Sequence, residues 1–180
     1  MDAFLAWLKK YDLLIELIIT ALPILLSLGA ICITIHVARE QNKIALFEKK
    51  YNCLFQIHLI TNFSDLIKDT NNANVILALF DAQWGTDISN VRNTEVQKSL
   101  HAKCQINLIK MHVSQAQFLF KQEMSVDTNV MGDRFCKIVM GAIGNNVSKE
   151  TLKEFCEICE NFNKNDFPNM KKELYLKFKK

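Results

Sequence analysis

The sequence predicts an all-α protein in which one N-terminal transmembrane helix continues into a cytosolic up-and-down helical bundle. Three observations lead to this class. Five Gly and two Pro among 180 residues are too few for a turn-rich β-sandwich or barrel. One long apolar run lies near the N-terminus, and the rest of the chain repeats apolar residues at helical spacing. We therefore divide the chain into a short interfacial segment at 1–12, a transmembrane helix at 13–38 and a cytosolic helical domain at 39–180.

The transmembrane helix is predicted from the run between Leu17 and Ile35, which contains no formal charge. At about 1.5 Å per residue, this run crosses roughly 28 Å of hydrocarbon, enough for one span. A buried core helix of a soluble domain would show a polar face. A cleavable signal peptide would have a shorter apolar run and a small-residue cleavage site. The sequence therefore favours a permanent anchor, and Trp7 marks the segment before it as interfacial.

The topology follows from the basic residues on the two sides of the span. Two precede it and four follow it within fifteen residues: Lys9 and Lys10, then Arg39, Lys43, Lys49 and Lys50. Because the more basic flank stays in the cytoplasm, the C-terminal domain is predicted to be cytoplasmic. Six Cys at helix-like positions, without a cleavable signal, favour free thiols in a reducing compartment.

One face of the span is polar or small. At about 100° per residue, its members fall within an arc of about 80°. They are Glu16, Thr20, Pro23, Ser27, Ala30, Thr34 and Ala38. A carboxylate and hydroxyls are costly against lipid, so this stripe is expected to face water or protein. The chain has no second spanning run, which makes copies of itself the simplest partners.

Two interpretations of this stripe stay open. In the first, the copies form a cyclic homo-oligomer around a water-lined pore, with Glu16 near its mouth. The pore-lining residues would then be Glu16, Thr20, Pro23, Ser27, Ala30 and Thr34. In the second, the stripe is a dry seam of packed helices, in which Ser and Thr bond back to their own helix.

The first cytosolic helix is predicted to continue from the span to a break at Asn71–Asn74, and a second apolar segment covers Val75–Trp84 before Gly85. The first helix has an apolar face with heptad spacing, formed by Ile44, Leu46, Phe47, Tyr51, Cys53, Leu54, Ile57, His58 and Ile60. A long helix is predicted over about 94–124. Its core candidates are Val96, Leu100, Leu108, Met111, Phe118 and Leu119.

Three signals delimit the rest of the bundle. A helix at about 130–143 ends at Gly144-Asn145, a left-handed cap. Its core candidates are Phe135, Ile138, Val139 and Ala142. Ser148 is predicted to cap the next helix, and Pro168 begins the last one. The helix after Ser148 has one apolar stripe, formed by Leu152, Phe155, Cys156, Cys159 and Phe162.

Candidate chemistry is sparse. Cys156 and Cys159 form C-x-x-C, but they lie on an apolar stripe without a second close pair, so buried thiols are favoured over zinc and no cofactor is predicted. Four His have no accompanying nucleophile motif or Gly-rich phosphate loop. The C-terminal lysines form either a solvated face or a contact with anionic lipid or RNA. These lysines are Lys171, Lys172, Lys177, Lys179 and Lys180.

The layout MDAFLAWLKKYDLLIELIITALPILLSLGAICITIHVAREQNKIALFEKKYN, followed by a small helical domain, resembles the single-span membrane accessory proteins encoded beside the RNA-guided RNase of type VI-B CRISPR systems. The sharpest similarity lies in Gln41–Tyr51. The resemblance implies a homo-oligomeric pore in the bacterial inner membrane, with a HEPN-like cytosolic fold. It also implies a functional link to the RNA-guided RNase, whose antiphage defence the pore would enhance by permeabilising the membrane.

The chain departs from the HEPN ribonuclease motif, in which Arg is followed by His after four to six residues. Here Arg92-Asn93 precedes His101 with eight residues between Arg92 and His101. On a continuous helix these nine steps rotate about 900°, which places the two side chains on opposite faces. We therefore expect no enzyme, and Arg92, Asn93 and His101 stay weak candidates for a membrane-tethered RNase. A structural membrane adaptor is the third alternative.

Overall fold

A computed structural model describes residues 2–89, 95–121 and 123–176. These residues form helices and no strand, as the sequence predicts. The helices are α1 Asp2–Ile67, α2 Ala73–Trp84, α3 Glu95–Ser114, α4 Ala116–Leu119, α5 Thr128–Ile143, α6 Lys149–Asn165 and α7 Phe167–Leu176. They divide into two compact units, residues 1–45 and residues 46–180.

The first unit consists of the N-terminal part of α1. Among the described residues, one helix is long and apolar enough to cross a membrane, and its apolar window is not buried inside the protein. Pro23 lies within the helix without ending it. Near the N-terminus, Trp7 stacks on Phe4 with ring centroids 6.3 Å apart and contacts Tyr11 at 5.0 Å. The helix is continuous across the predicted boundary between residues 12 and 13.

The second unit is a helical bundle around an aromatic cluster. Phe63 of α1 contacts Phe135 of α5 edge-on, with ring centroids 5.6 Å apart. From α2, Trp84 contacts the ring of Phe135 at 5.2 Å and stacks on Phe80 at 5.0 Å. Aromatic pairs at these separations add to the free energy gained by burying the rings. The cluster therefore joins three helices that are distant in sequence.

The helix ends predicted near Asn72, Gly85 and Ser148 are confirmed, with their geometry. The end predicted for the helix over about 94–124 is wrong, because α3 ends at Ser114 and the short α4 follows it. The side chain of Asn72 accepts hydrogen bonds from the amides that begin α2, and Gly85 ends that helix in the left-handed region at φ 64°. After α5 the left-handed residue is Asn145, at φ 51°, rather than Gly144. The hydroxyl of Ser148 accepts the Thr151 amide, as predicted for the cap of α6. Local turn chemistry is thus sufficient to locate these boundaries.

The prediction for the core face of α3 is wrong. Of the core candidates on α3, Val96 (77%), Leu100 (64%), Leu108 (52%) and Met111 (48%) are exposed. The other two candidates of the helix predicted over 94–124 lie on α4, where Phe118 is exposed (86%) and Leu119 is partly buried. The buried face is formed instead by Ala102, Ile106, Ile109 and Val113. At about 100° per residue, the two sets lie on opposite faces of the helix. Because both faces are apolar, periodicity alone does not distinguish the face that packs.

The apolar face predicted for α1 also divides. Cys53, Leu54, Ile57 and Ile60 are buried, as predicted. Tyr51 is 48% exposed, and His58 is exposed as well, with its ring stacked on Phe167. In α6 the predicted stripe is buried, except for the half-buried Cys156.

Lys50 is buried, which the sequence does not predict for a basic residue that follows the apolar run. Its ammonium group pairs with the carboxylate of Glu173 in α7 and lies 4.9 Å from the centroid of the Phe120 ring. The second carboxylate oxygen of Glu173 accepts the Lys121 amide at 3.0 Å. This pair links α1, α7 and the segment after α4.

Two further carboxylates stabilise loops by accepting hydrogen bonds from loop residues. Asp166 is buried and accepts hydrogen bonds from the Ser125 amide at 2.9 Å, from the Ser125 hydroxyl at 2.8 Å and from the Val126 amide at 3.0 Å. Asp81 accepts the Ile88 amide at 2.8 Å and binds two other donors of the loop after α2. Buried donors need such partners, so each carboxylate fixes the course of its loop.

A close backbone approach involves Gly141 in α5. A Cβ atom at this position would lie 2.7 Å from the carbonyl oxygen of Asn146, which is closer than van der Waals contact. At Gly132, in the same helix, the nearest atom is the flexible Cγ of Lys110 at 3.4 Å. The turn between α5 and α6 therefore requires a residue without a side chain at position 141.

Candidate functional site

The predicted stripe lies on the surface of α1. All seven residues of the stripe, from Glu16 to Ala38, are exposed in the single chain. Its hydroxyls donate to backbone carbonyls one turn earlier: Thr20 to Glu16 at 2.8 Å, Ser27 to Pro23 at 2.7 Å and Thr34 to Ala30 at 2.8 Å. The donors are therefore satisfied within the helix itself.

These bonds bear on both interpretations of the stripe. A hydroxyl that bonds back to its own helix keeps acceptor capacity on its oxygen, which can bind water in a lumen. The same bond removes the need for a partner, so the hydroxyls are also compatible with a dry seam. The geometry of Thr20, Ser27 and Thr34 therefore leaves both interpretations open. The carboxylate of Glu16 is the group that distinguishes a pore from a dry seam.

Glu16 is exposed at the N-terminal edge of the apolar run, on the same helix face as the hydroxyls. No Lys or Arg lies within four residues of it along the sequence, so its own helix provides no ion pair at neighbouring positions. An unpaired carboxylate is costly in hydrocarbon but favourable at the wet mouth of a cation pathway. The carboxylate of Glu16 therefore makes the stripe more polar than its small residues alone would make it.

The RNase candidates are only partly described. Arg92 and Asn93 lie outside the described residues. His101 is exposed on α3 and lines an open cleft of about 240 Å³ with Asp87 and Lys98. An imidazole beside an ammonium group can bind a phosphate and transfer a proton. Helical spacing already places Lys98 beside His101, and the cleft adds Asp87 from the loop after α2.

The cysteines of C-x-x-C pack in the bundle. Burial raises the pKa of the Cys159 thiol to about 12, and the thiol of Cys156 donates to the Ser64 carbonyl at 3.7 Å. Across residues 2–89, 95–121 and 123–176, no group of three or more His, Cys, Asp or Glu is placed to hold a metal ion. At the basic C-terminal end, Lys171 and Lys172 are exposed, and the last four residues lie outside the described range.

Sequence reasoning missed one surface. The sequence predicts that the apolar residues now found exposed on α3 lie in the core. The chain from Val96 to Lys121 also has an unusual charge composition. It contains four Lys and two His but no Asp or Glu. A helix with two apolar faces, which is basic and has no acidic residue after Glu95, is typical of a helix that packs on two sides.

Comparison of the chain with protein-family models, curated proteins and solved structures finds no match. The class of the protein is therefore defined by its own architecture: an all-helical chain with one long apolar N-terminal helix and a helical bundle.

Proposed function

We propose that this chain is a single-span membrane protein of the bacterial inner membrane, with its C-terminal domain in the cytoplasm, whose copies form a homo-oligomeric pore. The exposed Glu16 carboxylate supports this proposal, because it shares one helix face with Thr20, Ser27 and Thr34. A single helix cannot shield that face from lipid, whereas copies arranged around an axis enclose it.

The biological role follows from the resemblance of the layout, an N-terminal span followed by a small helical domain, to membrane accessory proteins of type VI-B CRISPR systems. The pore acts as an accessory effector that permeabilises the membrane after an RNA-guided RNase has detected phage transcripts. Cells carrying both proteins should lose membrane potential on infection. They should keep it when Glu16 is replaced by Leu, a variant that keeps the apolar run intact.

The pore is tested by substitutions in the stripe of the full-length protein. Ser27→Leu or Thr34→Leu should lower ion flux into liposomes without changing oligomer size, because a hydrophobic constriction blocks ions by dewetting. Cys32→Leu, on the opposite helix face, is the matched control and should leave flux unchanged.

The same variants separate the two interpretations of the stripe. If the stripe is a dry seam, the added Leu overfills a close contact and dissociates the oligomer, at a cost of about 1 to 3 kcal/mol per site. Intact oligomers with unchanged flux would contradict the lumen. Wild-type protein without flux in the presence of its defence partner would refute the pore itself.

The topology has its own test. A reporter fused after Lys180 should be active in the cytoplasm, because the basic flank after the span stays inside. Activity confined to the periplasm would contradict the proposed orientation and, with it, the cytoplasmic domain.

A membrane-tethered RNase is the second candidate, favoured by the cleft that His101 shares with Lys98 and Asp87. We expect no RNA cleavage by the purified protein, because Arg92 and His101 do not have the spacing of the ribonuclease motif. Cleavage that Arg92→Ala and His101→Ala each abolish, with assembly intact, would establish the RNase instead. An oligomer with neither flux nor cleavage would be a structural adaptor for another effector.

A further inference from the structure

The exposed side of α3 forms what we call the α3 apolar face, defined by Val96, Leu100, Cys104, Leu108 and Met111. At about 100° per residue, these five fall within an arc of about 120°. All five are exposed. The opposite side of the helix packs in the core, so this face is not needed to fold the chain. Exposed apolar surface of this extent is typical of an interaction site.

The surroundings of the α3 apolar face are basic. Lys103, which lies one helical turn from Leu100, is exposed beside this face, whereas Lys110 pairs with Asp133 of α5. With no acidic residue between Val96 and Lys121, the occupant of this face should be apolar with an acidic rim.

The outer side of α1 within the bundle has that composition. We call it the α1 aromatic face, defined by Tyr51, Phe55 and Leu66, which are 48%, 45% and 58% exposed. The rings of Tyr51 and Phe55 stack with centroids 6.3 Å apart and planes 7° apart. Glu48 and Asp65 flank this face and are exposed, and residues 51–67 contain no Lys or Arg.

The two faces belong to helices with different neighbours. The α1 helix is bonded to α2 through the Gln83 amide and the Leu59 carbonyl, and to α6 through Cys156 and Ser64. The α3 helix packs on α5 and α4. Because each face points away from the side on which its own helix packs, one copy presents both faces to solvent.

We propose that the α3 apolar face of one copy docks on the α1 aromatic face of the next copy. This inference rests on the proposed function, in which the chain associates with itself. The contact is heterologous, since it joins different surfaces of identical chains, and such contacts generate rings when their rotation closes. Copies anchored in one membrane share one orientation, so rotation about the membrane normal relates them.

Charge and area both favour this occupant. Pairing two α3 faces would bring basic rims together, whereas the α1 aromatic face offers Glu48 and Asp65. The exposed apolar side chains on α3 amount to on the order of 400 Å². A standard interface buries about 800 Å² per partner, of which slightly more than half is apolar. The α3 apolar face therefore supplies roughly the apolar area that one such interface uses.

Cysteine crosslinking of the full-length protein in liposomes tests the proposal. Cys104 is native and exposed on the α3 apolar face. Asn62→Cys, in a Cys32→Ser background, places a second thiol on the outer side of α1 without removing an apolar residue. A short bis-maleimide should then join position 62 of one copy to Cys104 of the next. Because every copy carries both thiols, the product should be a ladder of dimers, trimers and larger species.

The controls use the same chemistry. Lys153→Cys, at an exposed position on α6, should give no ladder in place of Asn62→Cys. Cys104→Ser should remove the ladder, and mass spectrometry identifies the linked peptides. Reversing charge on one face alone, with Lys103→Glu or with Glu48→Lys and Asp65→Lys, should weaken crosslinking about threefold. Combining both reversals should restore it.

Each alternative gives a different result. Dimers joined through Cys104 alone would show an isologous contact and overturn the proposal. Quenching of a dye on Cys104 by spin-labelled lipid, without crosslinks, would show that the bilayer covers the face and would overturn it too. An oligomer by mass without linkage at Cys104 would refute this interface while leaving the pore intact. A monomer by mass would refute the proposed self-association itself.

Discussion

Replacing Glu173 by Gln should destabilise the bundle by leaving a buried charge without its counterion. The side chain of Lys50 is 4% exposed and that of Glu173 is 19% exposed, so water screens this pair weakly. Gln keeps the shape of Glu173 and an oxygen that accepts the Lys121 amide. The variant therefore removes the negative charge while it keeps the shape of the side chain.

The size of this destabilisation depends on the contacts that the Lys50 ammonium group keeps in the Glu173→Gln variant. Breaking a buried ion pair by removing one partner costs about 3 to 5 kcal/mol. The partial exposure of Glu173 and the remaining contact of the ammonium group with the Phe120 ring reduce this cost. We expect about 2 kcal/mol, which for a bundle of this size lowers Tm by roughly 6 to 8 °C.

Thermal unfolding of the detergent-solubilised full-length protein, followed by circular dichroism, measures this shift. The matched control is Glu157→Gln, which removes one partner of an exposed pair with Lys153 on α6 and should leave Tm unchanged. Lys50→Met combined with Glu173→Gln should recover much of the loss, because no buried charge remains. Equal Tm values for Glu173→Gln and Glu157→Gln would refute the role assigned to the buried pair.

Three further predictions concern the bundle. Gly141→Ala should lower its free energy of unfolding by about 1 to 3 kcal/mol, because the added Cβ meets a backbone carbonyl at 2.7 Å. Gly132→Ala, the control in the same helix, should be neutral or slightly stabilising in the same melting assay. Burial raises the pKa of Cys53 to about 12, so maleimide at pH 7.5 should label the exposed Cys104 and leave Cys53 unmodified in the native protein. Equal labelling of the two would contradict the burial. Burial acts to raise the pKa of Asp81, but hydrogen bonds from its loop lower it more, to below its ordinary 3.8. Its stabilising contribution is therefore present above about pH 4 and lost as the pH falls through the lowered pKa, so Asp81→Asn should reduce the acid dependence of Tm.

Much of the fold could be predicted from local chemistry. Asn72, Gly85 and Ser148 act within one helical turn, so the sequence near each is enough to place a helix end. The face on which α3 packs depends on α5, which lies elsewhere in the chain. No local pattern distinguishes two apolar faces of similar width, and tertiary packing chooses Ala102 and Ile106 over Leu100 and Leu108.

The candidate site was predictable to a similar extent. Helical periodicity alone places Glu16, Thr20, Ser27 and Thr34 on one face, and the structure has them there. Sequence does not decide where a hydroxyl donates, because water, a partner and the preceding turn compete for the same proton. Likewise, the cleft at His101 depends on the loop after α2, whose course Asp81 fixes through long-range bonds.

The charge of Lys50 has different surroundings during synthesis of the chain and in the folded protein. In the proposed single-span topology, insertion into the membrane acts on the nascent polypeptide before α7 has been made, so Lys50 would then count as a full positive charge beside the span. Once Glu173 has been synthesised and the bundle has closed, that charge is neutralised inside the protein. In that topology the residue would orient the chain during synthesis without attracting anionic lipid afterwards. Under the proposed topology, the charge of Lys50 counted on the unfolded sequence therefore describes membrane insertion better than it describes the surface of the folded protein.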